Sequence, residues 1–206
     1  MQIDDDRFDE VLAHANLLAD AGRHDEAVPL FRALVDAGAA PLNLNLGLSL
    51  LEQGDLEAAR RAFAAGAAAG SDDCRYELAQ ILEHDGDVAA AEAIYTELAA
   101  HGDPESTFAL AVVHANRGEI LEAVLLLEPL AQRDDEVGEH ASATLGILRF
   151  ETGDDDAAEP LLRRGWTHSG AALARLLELL ERRGSTAEAE VFRRAARANG
   201  VVPEPR

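Results

Sequence analysis

Six glycines are each followed five residues later by an alanine: Gly22/Ala27, Gly54/Ala59, Gly86/Ala91, Gly118/Ala123, Gly153/Ala158 and Gly184/Ala189, with 32, 32, 32, 35 and 31 residues from one glycine to the next. A segment this short buries too little apolar surface to fold alone, so tandem copies have to stack and share a continuous core. Six independent domains are therefore excluded. The 206 residues contain no long Pro/Gly/Ser linker and no charge block separating two halves, which predicts one domain over 1–206.

Apolar residues recur at three- and four-residue steps on both sides of each glycine, as in Leu42, Leu46 and Leu50 before Gly54 and Ala59 and Phe63 after it. That is the period of one helical face. Each unit reads as helix, tight turn, helix. Glycine closes the first helix where a positive φ is wanted, and an acid or serine opens the second. Asp55, Asp87, Glu119 and Asp154 follow their glycines directly, and Ser185 with Glu188 has the spacing of a capping box. Seven residues before the glycine a small residue stands in five units (Ala15, Gly47, Ala79, Ala111, Gly146), with Leu177 in the sixth. Leucine precedes it in five (Leu46, Leu78, Leu110, Leu145, Leu176), with His14 in the first. The leucines fill the space between paired helices, while the small residue and the later alanine let the backbones approach. The fourth unit is irregular: Pro129 lies inside its second helix and the run from Arg133 to Gly138 adds three residues, which predicts a kink and a longer acidic loop.

Nine residues after the glycine come Phe31, Phe63 and Tyr95, then Leu127 and Leu162, with Phe192 one residue early. With the leucine, small residue, turn glycine, acid and alanine in this register, the chain resembles the tetratricopeptide repeat family from about Phe8 to Gly200. The resemblance implies an all-α fold, a right-handed α-solenoid of about six repeats near 8–39, 40–71, 72–103, 104–138, 139–170 and 171–200. Two features depart from the family pattern. Its aromatic at the start of the first helix is replaced by Val11, Asn43, Arg75, Thr107, Ser142 and Leu173, and its proline between units by Gly38, Gly70, Gly102, Gly138, Gly170 and Gly200. Such glycine endings are similar to those of Sel1-like repeats, which are also helical solenoids.

The resemblance also implies that the first helices line a concave, binding face. Counting ten, six and three residues back from each turn glycine gives a strip that is unusually apolar in its middle. The candidate groove residues are Asn16, Leu44, Asn45, Leu48, Leu51, Tyr76, Gln80, Glu83, Phe108, Val112, Asn116, Ile147 and Phe150. Rimmed by Glu52, Glu83, His84, Asn116 and Glu151, the strip suits an extended peptide or an amphipathic helix with basic residues. The alternative is that superhelical curvature buries the same residues between adjacent units. Chaperone-binding members of the family hold a partner's terminal carboxylate with two asparagines and three cations. The matching positions here are Leu12, Asn16, Asn45, Asp73 and Glu77: both asparagines are present, but every basic position is apolar or acidic, so a carboxylate is repelled rather than paired.

Asp and Glu outnumber Lys and Arg by 39 to 18, no lysine occurs, and the formal charge is -21. This field disfavours nucleic acid and anionic membranes and favours basic partners. The acidic start Met1-Gln2-Ile3-Asp4-Asp5-Asp6 and the short apolar runs predict neither a signal peptide nor a membrane span, and hence a cytoplasmic protein. No zinc-protease, phosphate-loop, nucleophile-elbow or calcium-loop spacing is present. The lone Cys74 forms no internal disulfide, and His84 with His114 lacks a third ligand. Arginine pairs such as Arg163-Arg164 and Arg182-Arg183 predict intramolecular ion pairs. The expected function is a noncatalytic protein- or peptide-binding module without cofactor or metal. The alternatives are a self-associating module forming homodimers, or the regulatory subunit of an enzyme complex.

Overall fold

The computed structural model describes residues 5–204; Met1–Asp4 of the acidic start and Pro205–Arg206 lie outside the described residues. The helices come in pairs: α1 (Asp5–Asp20) with α2 (His24–Asp36), α3 (Asn43–Glu52) with α4 (Leu56–Ala68), and α5 (Asp72–His84) with α6 (Val88–Ala100). They continue with α7 (Pro104–Asn116) and α8 (Ile120–Leu130), α9 (Glu136–Glu151) and α10 (Asp155–Gly165), and α11 (Gly170–Arg182) and α12 (Thr186–Asn199). A 3-10 turn, Ala40–Leu42, precedes α3, and no strand occurs among the described residues. The chain divides into two compact units, Met1–Tyr95 with α1 to α5 and the start of α6, and Thr96–Arg206 with the remainder. Within each, consecutive helices pack on one another and a first helix also touches the next first helix (α3 on α5, α7 on α9, α9 on α11). That is the stacking of a helix–turn–helix solenoid.

Every turn glycine of the ladder has a positive φ, from 71° at Gly22 to 88° at Gly86. Each turn is closed by two backbone bonds: Gly54 N–H donates to Leu51 O at 2.8 Å and Asp55 N–H to Leu50 O at 2.9 Å, and the pattern repeats in the other five. This Schellman arrangement satisfies the last carbonyls of the first helix. The residue after the glycine is already the N-cap of the second: Asp55, Asp87 and Asp154 accept the N–H of Ala58, Ala90 and Ala157. Ser185 departs from the expected capping box, because its hydroxyl makes no cap bond and Glu188 is held by Arg163 at 2.6 Å.

Paired helices interlock where the small residue of the first meets the large residue nine after the glycine. Ala15 and Phe31, Gly47 and Phe63, Ala79 and Tyr95, Ala111 and Leu127, and Gly146 and Leu162 are all buried. A Cβ on Gly47 would overlap the Phe63 ring, and one on Gly146 would stand 3.0 Å from Leu162. In the sixth repeat Leu177 fills the small-residue space, the equivalent large position is Arg193, and Phe192 instead packs edge-on against Trp166 of the preceding repeat, 5.8 Å between centroids. A further column, twelve residues after the glycine, is buried throughout: Leu34, Gly66, Leu98, Leu130, Gly165 and Ala196. Gly66 belongs to it because Cys74 and Asn43 lie where its Cβ would be.

The second unit carries three corrections. Pro129 does not kink α8, since the helix ends one residue later at Leu130. Of the residues added in the fourth repeat, 136–138 form the first turn of a lengthened α9, so the loop is only 131–135. Asp135 caps α9 on Gly138 N–H, and Arg164 reaches back to the carbonyls of Ala131 and Arg133 at the end of α8. Gly138 and Gly170 are not left-handed spacers like Gly38, Gly70, Gly102 and Gly200. They are helical, and a side chain on them would strike the carbonyls of Arg133 and Val202. The tail past α12 folds back, with Glu204 N–H on Gly170 O at 3.2 Å and Val201 against the core.

Two substitutions separate backbone strain from packing. Gly54→Ala meets no atom within 4 Å and should cost only the left-handed strain, about 1–2 kcal/mol. Gly47→Val should cost about 3 kcal/mol by overpacking, and Phe63→Leu should recover part of it in a double-mutant cycle read by urea denaturation. Cys74 is fully buried, and that burial pushes its thiol above the ordinary range. Its alkylation in the native protein should be at least ~100-fold slower than in urea, measured by mass spectrometry.

Candidate functional site

At about 100° per residue, the positions ten and three before the turn glycine share one azimuth, and the position six before lies furthest from the buried small residue. In the first unit Asn16 and Gln80, six before their glycines, are exposed, and Leu48 is 41% exposed. Leu44 and Leu51 are half-buried against the core cluster containing Phe63, and Tyr76, Asn45 and Glu83 are half-buried as well. The face is thus a shallow apolar strip, with Leu48 standing out between Leu44 and Leu51.

Two of its polar residues have defined roles. Tyr95, fully buried, donates its hydroxyl to Glu83 Oε2 at 3.1 Å, and its ring lies 5.8 Å from that of Tyr76. Burial, then the Glu83 charge, raises the phenol far above its usual range, so it stays a neutral donor and Glu83 is anchored rather than a loose rim group. Glu77 is half-buried, and desolvation followed by the charge of Asp73 pushes its carboxyl above the ordinary value. It lines a cleft of about 210 Å³ together with Leu51, Leu56, Gln80 and Ile81, with Arg60 and Asp85 paired on the wall. A second hollow of about 320 Å³ lies beside Leu44, Pro41, Gly66 and Asp73. At the carboxylate-clamp positions, Leu12 packs on the core, Asp73 is exposed and Glu77 is the perturbed acid. The neighbouring Asn43, not Asn45, is the buried structural amide, donating to Ala40 O at 2.9 Å.

The second unit is less apolar than its sequence suggests. Phe108, Val112, Ile147 and Phe150 are half-buried and Asn116 is exposed. Phe108 stacks on His140, with centroids 5.9 Å apart, and Phe150 lies under Arg182 at 4.7 Å and Arg175 at 5.8 Å. Arg175 also reaches Glu151 at 3.6 Å, which neutralises that part of the rim. Counting along one helix face did not reveal these neighbours, because the arginines belong to α11, one repeat further on. His114 is engaged by Glu119 at 2.5 Å within its own hairpin. Arg163, Arg182 and Arg183 make ion pairs, whereas Arg164 goes to backbone carbonyls; Asp156, Arg183, Glu159, Arg163 and Glu188 form one chain with links of 2.5–2.6 Å. Among the described residues no helix is long and apolar enough to cross a membrane.

A family model described as tetratricopeptide repeat matches residues 12–73 and 44–107. No curated protein matches the chain. Among solved structures, the chain is similar to pilF of Pseudomonas aeruginosa, at 12% identity and TM-score 0.77 over 94% of this chain and 92% of that one. It is also similar to a tetratricopeptide repeat protein from Parabacteroides merdae, at 15% identity and TM-score 0.67 over 97% and 81%. A third is c5321, a protective antigen of uropathogenic Escherichia coli displaying an SLR fold, at 20% identity and TM-score 0.64 over 88% of this chain and 39% of that one. At these identities the likeness concerns the fold, and it agrees with the paired helices, glycine turns and interlocking columns. Residues 12–107 thus match the tetratricopeptide repeat family model, and the chain as a whole has the fold of tetratricopeptide and Sel1-like repeat solenoids.

Proposed function

We propose that the chain is a noncatalytic binding module that holds an extended peptide or an amphipathic helix with basic flanks on the first-helix face of its first unit. Repeats of this family are generally protein–protein interaction scaffolds. The observation that carries the finer reading is Glu77. It is a half-buried carboxylate raised by desolvation and by Asp73, lining a cleft together with Leu51 of the apolar strip. Its charge is unfavourable in the free protein, and an arginine or lysine from a partner relieves it while apolar side chains cover Leu48. The formal charge of -21 acts in the same direction and opposes nucleic acid and anionic lipid. A second reading, self-association, is favoured by Leu121 and Leu125, one helical turn apart on α8 and 68% and 61% exposed. It requires a dimer in sedimentation that Leu125→Glu abolishes.

Binding can be followed by fluorescence anisotropy with a labelled amphipathic peptide of alternating arginine and leucine turns. Leu48→Glu and Tyr76→Ser should each weaken it by about tenfold or more, and Leu121→Ser should not change it. A peptide of the same charge with its leucines replaced by serine should bind at least ~10-fold more weakly. Equal binding by both peptides, or by the Leu48 variant, would remove the groove from consideration. Glu77 also gives a pH signature. A carboxyl raised in the fold penalises the ionised form, so the penalty is present above the folded value and disappears below the unfolded value of about 4.5. Glu77→Gln should therefore raise the thermal midpoint at pH 7 and leave it unchanged below about pH 4.

A further inference from the structure

The lengthened α9 and the turn between α10 and α11 bring together three groups that no motif in the chain joins. Ligand atoms of Glu136, His140 and His168 all lie within 4.8 Å of one another. Glu136 and His140 are four apart and share a face of α9, and His168 sits in the turn where its own N–H bonds to Gly165 O at 3.1 Å. The two imidazoles meet edge to face at 4.7 Å, and the far side of His140 is stacked on Phe108. Glu139 Oε2 lies 2.5 Å from His168 Nε2, the carboxylate–imidazole contact that fixes the orientation of a ligating histidine.

We propose that Glu136, His140 and His168 form a site for a divalent transition-metal ion of the zinc type, with Glu139 as the positioning partner of His168. Two imidazoles and a carboxylate are the donor set such ions take, with metal–ligand distances of about 2.0–2.2 Å. A tetrahedral set needs donors about 3.3 Å apart, so the present arrangement closes by about 1.5 Å. Glu136, exposed on the first turn of α9, supplies that movement by a change of rotamer. The positive end of the α9 dipole opposes a cation, but Asp135, Glu136 and Glu139 lie in or beside that turn and outweigh it. The guanidinium of Arg164, beside Gly138 on the same turn, is occupied by the carbonyls of Ala131 and Arg133. Three protein donors leave at least one coordination position for water. A bound ion ties the start of α9 to the turn that introduces the sixth repeat, and so stabilises the second unit by mass action.

The test is calorimetric titration of the full chain with Zn²⁺, and with Co²⁺ as a spectroscopic probe. One equivalent should bind with a tetrahedral cobalt spectrum. His140→Gln and His168→Gln should each weaken binding by at least ~10-fold, Glu139→Gln by about 10-fold, and His84→Gln not at all. Zn²⁺ should raise the thermal midpoint of the wild type and not that of His168→Gln. His168 stands in an exposed turn, so this variant should fold, verified by circular dichroism and melting in EDTA, and it carries the test if His140→Gln does not. Absence of binding by either metal, or binding unchanged in His168→Gln, overturns the proposal and leaves the cluster as an ion pair with stacked rings.

Discussion

The contact on which the structure depends is the close approach of two helices where a small residue on the first faces a large side chain on the second. In five repeats that pair is buried, and it fixes how near the helices lie and in what register. The three-residue turn between them works only because of this register. A Schellman closure needs one left-handed residue, glycine supplies it without steric cost, and the next residue has to donate its backbone N–H to the closing bond and cap the following helix at once. An aspartate does both at Asp55, Asp87 and Asp154. The ladder of glycines and alanines is the outward sign of this unit, with the alanines at zero exposure where the backbones come closest.

The sixth repeat illustrates the constraint by departing from it. Once Leu177 occupies the small-residue space, an aromatic nine past the glycine no longer fits, and Phe192 turns to Trp166 with Arg163 over its face at 5.5 Å. The same region holds the chain of ion pairs through Arg183, Glu159 and Arg163. Exposed pairs contribute little singly, yet a connected set orients side chains that would otherwise repel one another in so acidic a protein. The cations in it are consumed internally. Carboxylates dominate the charged residues, and burial followed by the charge of Asp73 makes ionisation of Glu77 unfavourable.

The repeat number, the helix pairs, the glycine turns and most of the core columns were legible because they follow from helical periodicity and from the stereochemistry of glycine. These are local properties, repeated until chance is excluded. The irregular repeat was legible only in location. Pro129 looked like a kink because its distance from the helix end is set by where α8 stops, and that end is determined by Arg164, 35 residues downstream, holding the carbonyls of Ala131 and Arg133. Gly138 and Gly170 looked like members of the spacer series, but their small size answers to a loop and to a returning tail.

The first-helix strip was legible as a set of azimuths. Whether those azimuths are open depends on what the partner helix and the neighbouring repeat place over them, and that is not periodic: Leu48 stands out, Glu83 is tied to Tyr95 of its own repeat, and Phe150 is roofed by two arginines from α11. The grouping of His140 with His168 likewise joins residues 28 apart in the chain with no shared motif, and they meet edge to face only where the lengthened α9 lies beside the turn before α11. By itself, then, the sequence determined the repeating unit, its turns and its acidity, since each rests on short-range geometry or on composition. The tertiary structure alone decided which polar and aromatic side chains meet across repeats, because that depends on the offset between stacked units, which insertions of a few residues change.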